Sequence, residues 1–323
     1  MTKRSSDQPG TCGEPAVLVL GDAAVDWVVE VEALPRLDDI VLSRSCRRFA
    51  GGSAANVAVG LARLGCRVGF VGQLGDDENG DFLRRAFQQE GVDTSGVVEI
   101  PRYETPSCWV AVDERGDHMI IALPRDLEAY EVGNLDLGRL ATAQGIYIGP
   151  SHTGIARKAA IAAKQNGIPV FYAPGALSRY VSRAELAAVL DRTDVLLVSR
   201  SEAAALADRS STEEAVNALL DAGPAAVVET AGSEGALVAA GERRWHVPAL
   251  SVTKIRDTTG AGDAFAAGFV AAFLRGLDLP AAASVGSAVA ALKIQHLGAR
   301  TGLPSWEQAL SRTNIAKATG RVS

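Results

Sequence analysis

Aromatic side chains are scarce in this chain: they make up 5% of its 323 residues, whereas glycine and alanine are abundant. This composition favours closely packed helices on a sheet over a β-sandwich. Long apolar runs are also missing, because the longest, residues 264–274, is too short to span a bilayer. The formal net charge of −6 gives no basis for nucleic-acid binding. We therefore expect a globular protein with neither nucleic acid nor membrane among its partners.

Cysteine usage and the N-terminus indicate the compartment. The four cysteines show neither a CxxC spacing nor a disulfide framework, which favours reduced thiols in a cytoplasmic protein. Residues 1–15 are polar, contain proline and glycine, and lack the apolar region of a signal peptide. We expect them to form a disordered tail.

Common nucleotide and metal motifs are absent as well. The chain has no GxxxxGK[ST] loop, and its first predicted strand is not followed by GxGxxG, which argues against a dinucleotide-dependent dehydrogenase. The four histidines have no metal-ligand spacing and are expected to be structural or exposed.

Most of the chain alternates between strand-like and helix-like segments. Continuous apolar runs predict buried strands at 16–21, 66–72, 146–149, 168–173, 194–198 and 225–229, with two more strands at 235–240 and around Trp245. Helices are predicted at 54–65, 78–91, 154–166, 183–192, 212–222, 263–275 and 280–296, and from Ser305. This alternation is typical of a mostly parallel sheet covered by helices on both faces.

A second, smaller sheet is predicted from strands that are only partly apolar. These strands are 25–31, 39–49, 109–113 and 118–123, the last two joined by the hairpin turn ERGD. We expect one α/β domain over 16–312, a β-lid formed from about 25–49 and 108–123, and a C-terminal tail at 313–323. Because such a lid exposes sheet edges and apolar surface, a homodimer through the lids is expected.

The strongest chemical signal is DTTGAGDAF at 257–265. Gly260, Ala261 and Gly262 have little or no side chain, so an anion can approach the free N–H groups at the start of the next helix. Asp263 beside such a pocket would take a proton from an attacking hydroxyl while the amides hold the transferred phosphate. A glycine-rich turn with an acidic residue in the first helical turn is the alternative reading.

Three other segments carry candidate binding residues. Gly52 allows a ligand to approach the backbone, and Asn56 lies in the first turn of an apolar helix, where it can bond hydroxyls in both directions. Asp26, on a predicted lid strand, would accept two sugar hydroxyls. A helix-initiating turn and a solvated strand edge remain the alternatives for these segments. The residues Thr230, Gly232 and Gly235 follow a strand and form either a phosphate-binding loop or a plain turn.

Together these segments resemble the ribokinase-like (PfkB-type) carbohydrate kinase family. The two signatures, GGSAANVAVGLARLG at 51–65 and DTTGAGDAFAAGF at 257–269, occur in the family's order. Shorter matches are GQLGDDENG, TAGSEG and GARTGLP, and the whole resemblance runs from about residue 16 to about residue 310. It implies a Rossmann-like three-layer α/β domain with a β-sheet lid, and ATP-dependent phosphorylation of a hydroxymethyl group.

The resemblance also assigns roles by position. Asp263 matches the catalytic base, and Gly260, Ala261 and Gly262 match the anion hole. The sugar-holding residues correspond to Asp26, Gly52 and Asn56, and the nucleotide loop to Thr230, Gly232 and Gly235. Asp257 and Thr259, with the stretch near Gly298, match a monovalent-cation loop that implies K⁺ in many members. Mg²⁺ would travel with ATP and offset charge on the phosphates.

Three positions depart from the family pattern. Ser199 replaces the Asn of an Asn-x-x-Glu motif, so only Glu202 keeps the implied metal role. Ala24 stands where an Asn usually precedes the sugar-binding Asp, and Ser53 follows the two glycines where ribokinase has Lys. Ribokinase itself is therefore not expected.

The acceptor stays open at this point. Arg125, after the last lid strand, would pair with an anionic sugar or belong to a solvated basic face. Trp27 and Trp109 would stack on a nucleoside base or form the core of the lid. A regulator that binds sugar or nucleotide without catalysis is a third alternative, against which Asp263 argues because a binding protein needs no base.

Overall fold

The computed structural model describes residues 16–123, 138–176, 178 and 181–313. The predicted N-terminal tail, Arg125 and residues 314–323 lie outside the described residues. Cys46, Cys66 and Cys108 form no disulfide in the part of the chain that the structure describes.

The described chain contains the following strands and helices. The strands are β1 (Ala16–Leu20), β2 (Ala24–Glu30), β3 (Ser45–Gly51), β4 (Arg67–Gly75), β5 (Asp93–Ile100), β6 (Ser107–Val112), β7 (His118–Leu123), β8 (Gly145–Ile148), β9 (Val170–Tyr172), β10 (Val195–Ser199), β11 (Ala226–Thr230), β12 (Ala236–Ala240) and β13 (Arg243–Val247). The helices are α1 (Ser53–Arg63), α2 (Glu78–Gln89), α3 (Thr153–Gln165), α4 (Arg183–Leu190), α5 (Arg200–Ala207), α6 (Thr212–Asp221), α7 (Ala261–Leu274), α8 (Leu279–Lys293) and α9 (Trp306–Ser311).

Nine strands form the main sheet in the order β13-β12-β11-β10-β9-β8-β1-β4-β5. The pairs from β11 to β5 are parallel, and β12 and β13 add an antiparallel edge. Alternate residues of β1 enter different cores: Val17 and Val19 join one, Leu18 and Leu20 the other. A sheet buried on both faces needs such continuous apolar strands, and this confirms the predicted three-layer α/β fold.

Helices cover both faces of this sheet. α1, α7 and α8 pack on one face and α3 and α6 on the other. α1 and α7 approach so closely that a Cβ at Gly60 would lie 2.7 Å from the Cβ of Ala267. Within the described residues, no helix is long and apolar enough to cross a membrane.

The topology also indicates where a ligand site should form. β1 lies between β8 and β4, so the chain leaves β1 on one side and later returns on the other. In open α/β sheets, ligands bind at the carboxyl ends of the strands where the strand order reverses. Gly21 and Asp22 occupy this position after β1.

The predicted smaller sheet is present as a four-stranded lid, and its strand order is β3-β2-β6-β7. The strand expected at 39–49 starts only at Ser45, which pairs with Glu30 at the end of β2. The preceding segment has no partner strand there, and its Leu37, Ile40 and Leu42 are exposed. The predicted strand 39–49 therefore began six residues too early.

Two elements were not predicted from the sequence. β5 is an edge strand with the sequence DTSGVVEI, whose first half has low β propensity. α5 follows β10 immediately, and its Ser199-x-x-Glu202 capping box was not recognised as a helix start.

Candidate active site

α1 begins where the lid meets the main sheet. Gly52 precedes it with φ of 88°, and a Cβ there would lie 2.5 Å from the Cα of Ala23, so glycine is required. The helix has no cap from its own N-cap residue. Asp22, from the loop after β1, instead accepts the N–H groups of Ser53 (3.1 Å) and Ala54 (2.9 Å). This carboxylate therefore fixes the first turn of α1 over the end of β1.

The first turn of α1 holds Asp263. The Ser53 hydroxyl donates to Asp263 Oδ1 (2.7 Å), and the Asn56 amide donates to Oδ2 (2.8 Å). Burial raises the pKa of Asp263 to about 6, although these two hydrogen bonds oppose the rise, and nearby Asp22 adds to it. A carboxylate with a pKa of this size is suited to general-base catalysis near neutral pH.

The residues of the predicted anion pocket lie at the start of α7. Gly260 has φ of 74°, and a Cβ there would lie 2.8 Å from the Cβ of Ala299. The Ala261 N–H donates to Thr258 O (3.0 Å) and is thus used within the turn. A Cβ at Gly262 would meet open space, and the backbone of this residue is exposed. The free N–H groups and the positive end of the helix dipole can accept an anion there.

Asp26 reaches the same region from the lid. It is 7% exposed, and burial raises its pKa to about 7 even though Arg300 opposes the rise. The Cys108 thiol on the neighbouring strand bonds its carboxylate. Because Asp26 also interacts electrostatically with Asp263, the structure brings the predicted sugar-holding residue close to the predicted base.

Arg300 connects these residues and was not recognised in the sequence. Its Nε donates to Asn56 Oδ1 (2.8 Å) and its Nη2 to Gly51 O (2.7 Å), while Nη1 is buried without a partner. Because Arg300 bonds the amide oxygen of Asn56, the amide nitrogen is directed to Asp263. The one available signal was its place in GARTGLP, two residues after Gly298.

Tyr147 is a buried residue that interacts with several candidate residues. This buried side chain on β8 hydrogen-bonds Ser53, and burial raises its pKa well above the usual range. It interacts electrostatically with Asp263, Asp22 and Glu202. The predicted base and the residue implied for the metal are therefore both near enough to Tyr147 to influence its ionisation.

The predicted nucleotide loop lies at the carboxyl ends of β10 and β11. Thr230 pairs in register with Ser199, and a short 3-10 helix follows at Gly232–Glu234. A Cβ at Gly232 would meet open space, whereas one at Gly235 would lie 2.1 Å from Val247 O. The loop therefore has an open backbone surface held by a tight turn behind it.

Glu202 has a structural role in addition to the metal-binding role that the family resemblance implies. Its carboxylate accepts the Ser199 N–H (2.8 Å), and the Ser199 hydroxyl caps the same helix in return. This capping box explains why Ser serves well where the family pattern has Asn. Throughout the described ranges, no group of three or more His, Cys, Asp or Glu side chains is arranged to hold a metal. Mg²⁺ bound by ATP phosphates needs few protein ligands, so Glu202 fits that role.

The residues implied for K⁺ are close together but already bonded. Asp257 Oδ1 accepts the Thr259 N–H (2.8 Å), and Oδ2 accepts the Gly298 N–H (2.7 Å). Lys293, fully buried, donates its ammonium to Asp257 O (2.8 Å). These oxygens do not fit an exchangeable cation well, because a positive charge is already present. Lys293 was not recognised from the sequence, since it reads as an ordinary C-terminal lysine of an alanine-rich helix.

The two lid tryptophans face away from the acceptor region. Trp27 and Trp109 are register partners and stack with ring centroids 6.0 Å apart. Since successive side chains of a strand point to opposite faces, Trp27 lies on the face opposite Asp26. Trp27 packs against the main hydrophobic core, whereas Trp109 is 46% exposed.

Basic lid residues form ion pairs and also border a cleft. Arg44 pairs with Glu114, Arg47 with Glu30 and Arg48 with Glu78. A cleft of about 460 Å³ opens beside the lid; its lining includes Arg47, Phe49, Lys254, Arg256 and His296. Phe49 is the register partner of Asp26, so the cleft adjoins the acceptor region.

Comparison with known proteins adds a family and relatives. The sequence profile described as pfkB family carbohydrate kinase matches residues 15–306. An ATP-dependent ribose-1-phosphate kinase of Halopiger xanaduensis is 34% identical over 287 residues, covering 88% of this chain and 94% of the relative. A nucleoside kinase of Methanothermobacter thermautotrophicus is 25% identical, covering 92% and 94%.

Solved structures agree with this match. The structure of Arabidopsis thaliana ribokinase complexed with ribose and ATP has a TM-score of 0.80 and 26% identity, covering 93% of this chain and 98% of that one.

Proposed function

Because this chain belongs to the pfkB family of carbohydrate kinases, we propose that it transfers the γ-phosphate of ATP to a hydroxymethyl group, with Asp263 as general base. The observation that carries the proposal is the Asp263 carboxylate, held by Ser53 and Asn56 at the start of α7 with its pKa raised to about 6. A carboxylate in a cleft whose pKa is raised by burial and by a neighbouring carboxylate is a candidate for a functional role.

The proposed reaction follows from the residues around Asp263. The acceptor hydroxyl donates to Asp263 in place of the Ser53 hydroxyl and loses its proton to the carboxylate as its oxygen attacks the γ-phosphorus. The bond between that phosphorus and the oxygen of the departing ADP breaks. Exposed N–H groups near Gly262, together with the α7 dipole, stabilise the charge on the transferring phosphoryl group.

The nucleotide is assigned to the loop after β11. Thr230, Gly232 and Gly235 would contact ATP phosphates through the backbone, and the open surface at Gly232 supports this. Glu202 would orient Mg²⁺, which offsets negative charge on the phosphates when bound.

For the acceptor, we propose a ribose substituted at C1, with D-ribose 1-phosphate first. The relative at 34% identity is a ribose-1-phosphate kinase, and the cleft lined by Arg47, Lys254 and Arg256 supplies positive charge beside the Asp26 face. Asp26 and Asn56 would bond the ribose hydroxyls. A nucleoside is the second candidate, because a nucleoside kinase matches over 92% of this chain and a nucleoside contains the same sugar.

We further propose a homodimer formed by the lids. Four large apolar side chains of the lid are exposed: Trp109 (46%), Met119 (39%), Ile120 (47%) and Ile121 (55%). All four lie on β6 and on β7, which is an edge strand among the residues that the structure describes. Single exposed apolar side chains are common on protein surfaces, but four grouped at one edge of a sheet favour a binding partner there.

The test is a coupled ADP-release assay with ATP and Mg²⁺. The panel comprises ribose 1-phosphate, ribose, adenosine, inosine, fructose and 2-keto-3-deoxygluconate. Asp263→Asn should lower kcat about 100-fold or more while ATP binding is kept. Asp221→Asn, at the exposed end of α6, is the matched control and should retain full activity. Equal turnover by Asp263→Asn would refute the base, and turnover of nucleosides alone would select the second candidate.

A further inference from the structure

A buried lysine closes the loop that precedes α7. Lys293 is the last residue of α8, and its ammonium donates to Asp257 O. Ile294 follows Lys293 in sequence, and its carbonyl oxygen accepts the N–H groups of Arg256 (2.8 Å) and Asp257 (3.2 Å). The end of α8 therefore determines where this loop lies, and α7 with Asp263 follows directly from it.

The Asp257 oxygens that would attract a monovalent cation already accept hydrogen bonds from the chain itself. Both carboxylate oxygens of Asp257 accept backbone N–H groups, and its carbonyl accepts Lys293. Thr259 Oγ1 is buried without a partner, but hard cations require several oxygen ligands, and one hydroxyl does not supply them. A second positive charge beside the Lys293 ammonium would also be repelled.

The ammonium supplies the charge that an ion would otherwise bring. Asp257 and Lys293 are both completely buried, and a buried carboxylate needs an opposite charge or several hydrogen bonds. Lys293 interacts electrostatically with Asp257 and with Asp263. It also lies at the C-terminus of α8, where the helix dipole favours a cation. One side chain thus balances charge in the loop and at the proposed base.

We propose that Lys293 is a tethered monovalent cation, which positions the 257–259 loop and α7 so that phosphotransfer requires no exchangeable K⁺. The activity readout rests on the proposed kinase function, whereas the stability readout does not. This inference replaces K⁺ at Asp257 and Thr259 with a residue of the chain itself.

The experiment compares melting temperature and ADP release in KCl, NaCl, NH₄Cl and tetramethylammonium chloride at one ionic strength. The wild-type protein should behave alike in all four salts. Lys293→Ala should lose roughly 10 °C of melting temperature in tetramethylammonium chloride. Both its stability and its kcat should be partly restored by K⁺ or NH₄⁺, because these ions fit the space vacated by the side chain. Lys164→Ala, which breaks an exposed pair with Asp194, is the control and should show no preference among the salts.

Two results would overturn the proposal. The first is a wild-type enzyme that is inactive without K⁺ and active with it. The second is a Lys293 variant that melts at one temperature in all four salts. If Lys293→Ala does not fold, Lys293→Met keeps most of the volume without the charge, and the same criterion applies. If only the proposed kinase function is wrong, neither the wild-type protein nor any variant would release ADP. The melting temperature of Lys293→Ala would still depend on the salt.

Discussion

Asn56 donates its side-chain amide to Asp263 at 2.8 Å, although 207 positions separate them in sequence. The other end of the same amide accepts Arg300. The two signature segments of the sequence thus meet at one side chain, and a lid residue, Asp26, completes the cluster. Whatever orients this amide also orients the proposed base, so the kinetics of the enzyme should respond to residues that never touch the phosphate.

The raised pKa of Asp263 predicts an acidic limb in the pH profile. The base acts only when deprotonated, and burial raises its pKa to about 6. Below that value kcat/KM should fall about tenfold per pH unit, and above it the rate should level off. The measurement is kcat/KM for the acceptor from pH 4.5 to 8 at saturating ATP. A profile that is flat across pH 5–7 would contradict the assignment of Asp263.

Ser53→Ala should move this acidic limb to higher pH. The Ser53 hydroxyl stabilises the ionised carboxylate, so its removal raises the pKa of Asp263 further. Activity should therefore be lost most near pH 6 and least near pH 8, and melting temperature should change little. Ser284→Ala, which removes a hydroxyl bonded to Pro280 O on α8, is the matched control and should leave the limb in place. An unchanged limb in Ser53→Ala would show that this hydroxyl does not act on the base.

The sequence predicts most of the fold because its signals are local. Continuous apolar runs identify β1, β8, β10 and β11, and these become the buried centre of the sheet. β5 escaped prediction because its pairing with β4, rather than its own residues, makes it a strand. The predicted strand 39–49 was wrong at its start for the opposite reason, because the apolar Ile40 and Leu42 have no partner strand among the described residues.

The site is less accessible to sequence reasoning because its key contacts are long-range. Motif spacing identifies Asp263 and Asn56 as candidates, yet it does not reveal that they bond each other. Arg300 and Lys293 carry no motif of their own, and their importance appears only when burial deprives each of water. The pairing of a buried cation with a carboxylate arises only in the folded chain, and a short stretch of sequence does not reveal it.

The exposed edge of the lid predicts self-association. Trp109→Glu would bring a charge into the proposed lid contact and should convert a dimer into a monomer of 33.6 kDa. Sedimentation velocity at micromolar concentration measures this, with Ile121→Glu as a second variant on the partner strand β7. A wild-type protein that sediments as a monomer at these concentrations would contradict lid-mediated assembly.

Arg300 should determine acceptor affinity through Asn56 and Asp26. Arg300→Met leaves the Asn56 amide free to rotate and removes the charge that opposes the raised pKa of Asp26. Losing hydrogen bonds from a charged donor of this kind should raise the acceptor KM about 10- to 100-fold, while KM for ATP stays unchanged. Arg157→Met, at an exposed position on α3, is the control and should match wild type. Because the guanidinium is buried among acids, ATP binding and melting temperature must be measured alongside to establish that the variant folds. A folded Arg300→Met protein with an unchanged acceptor KM would show that Asn56 and Asp26 are held correctly without it.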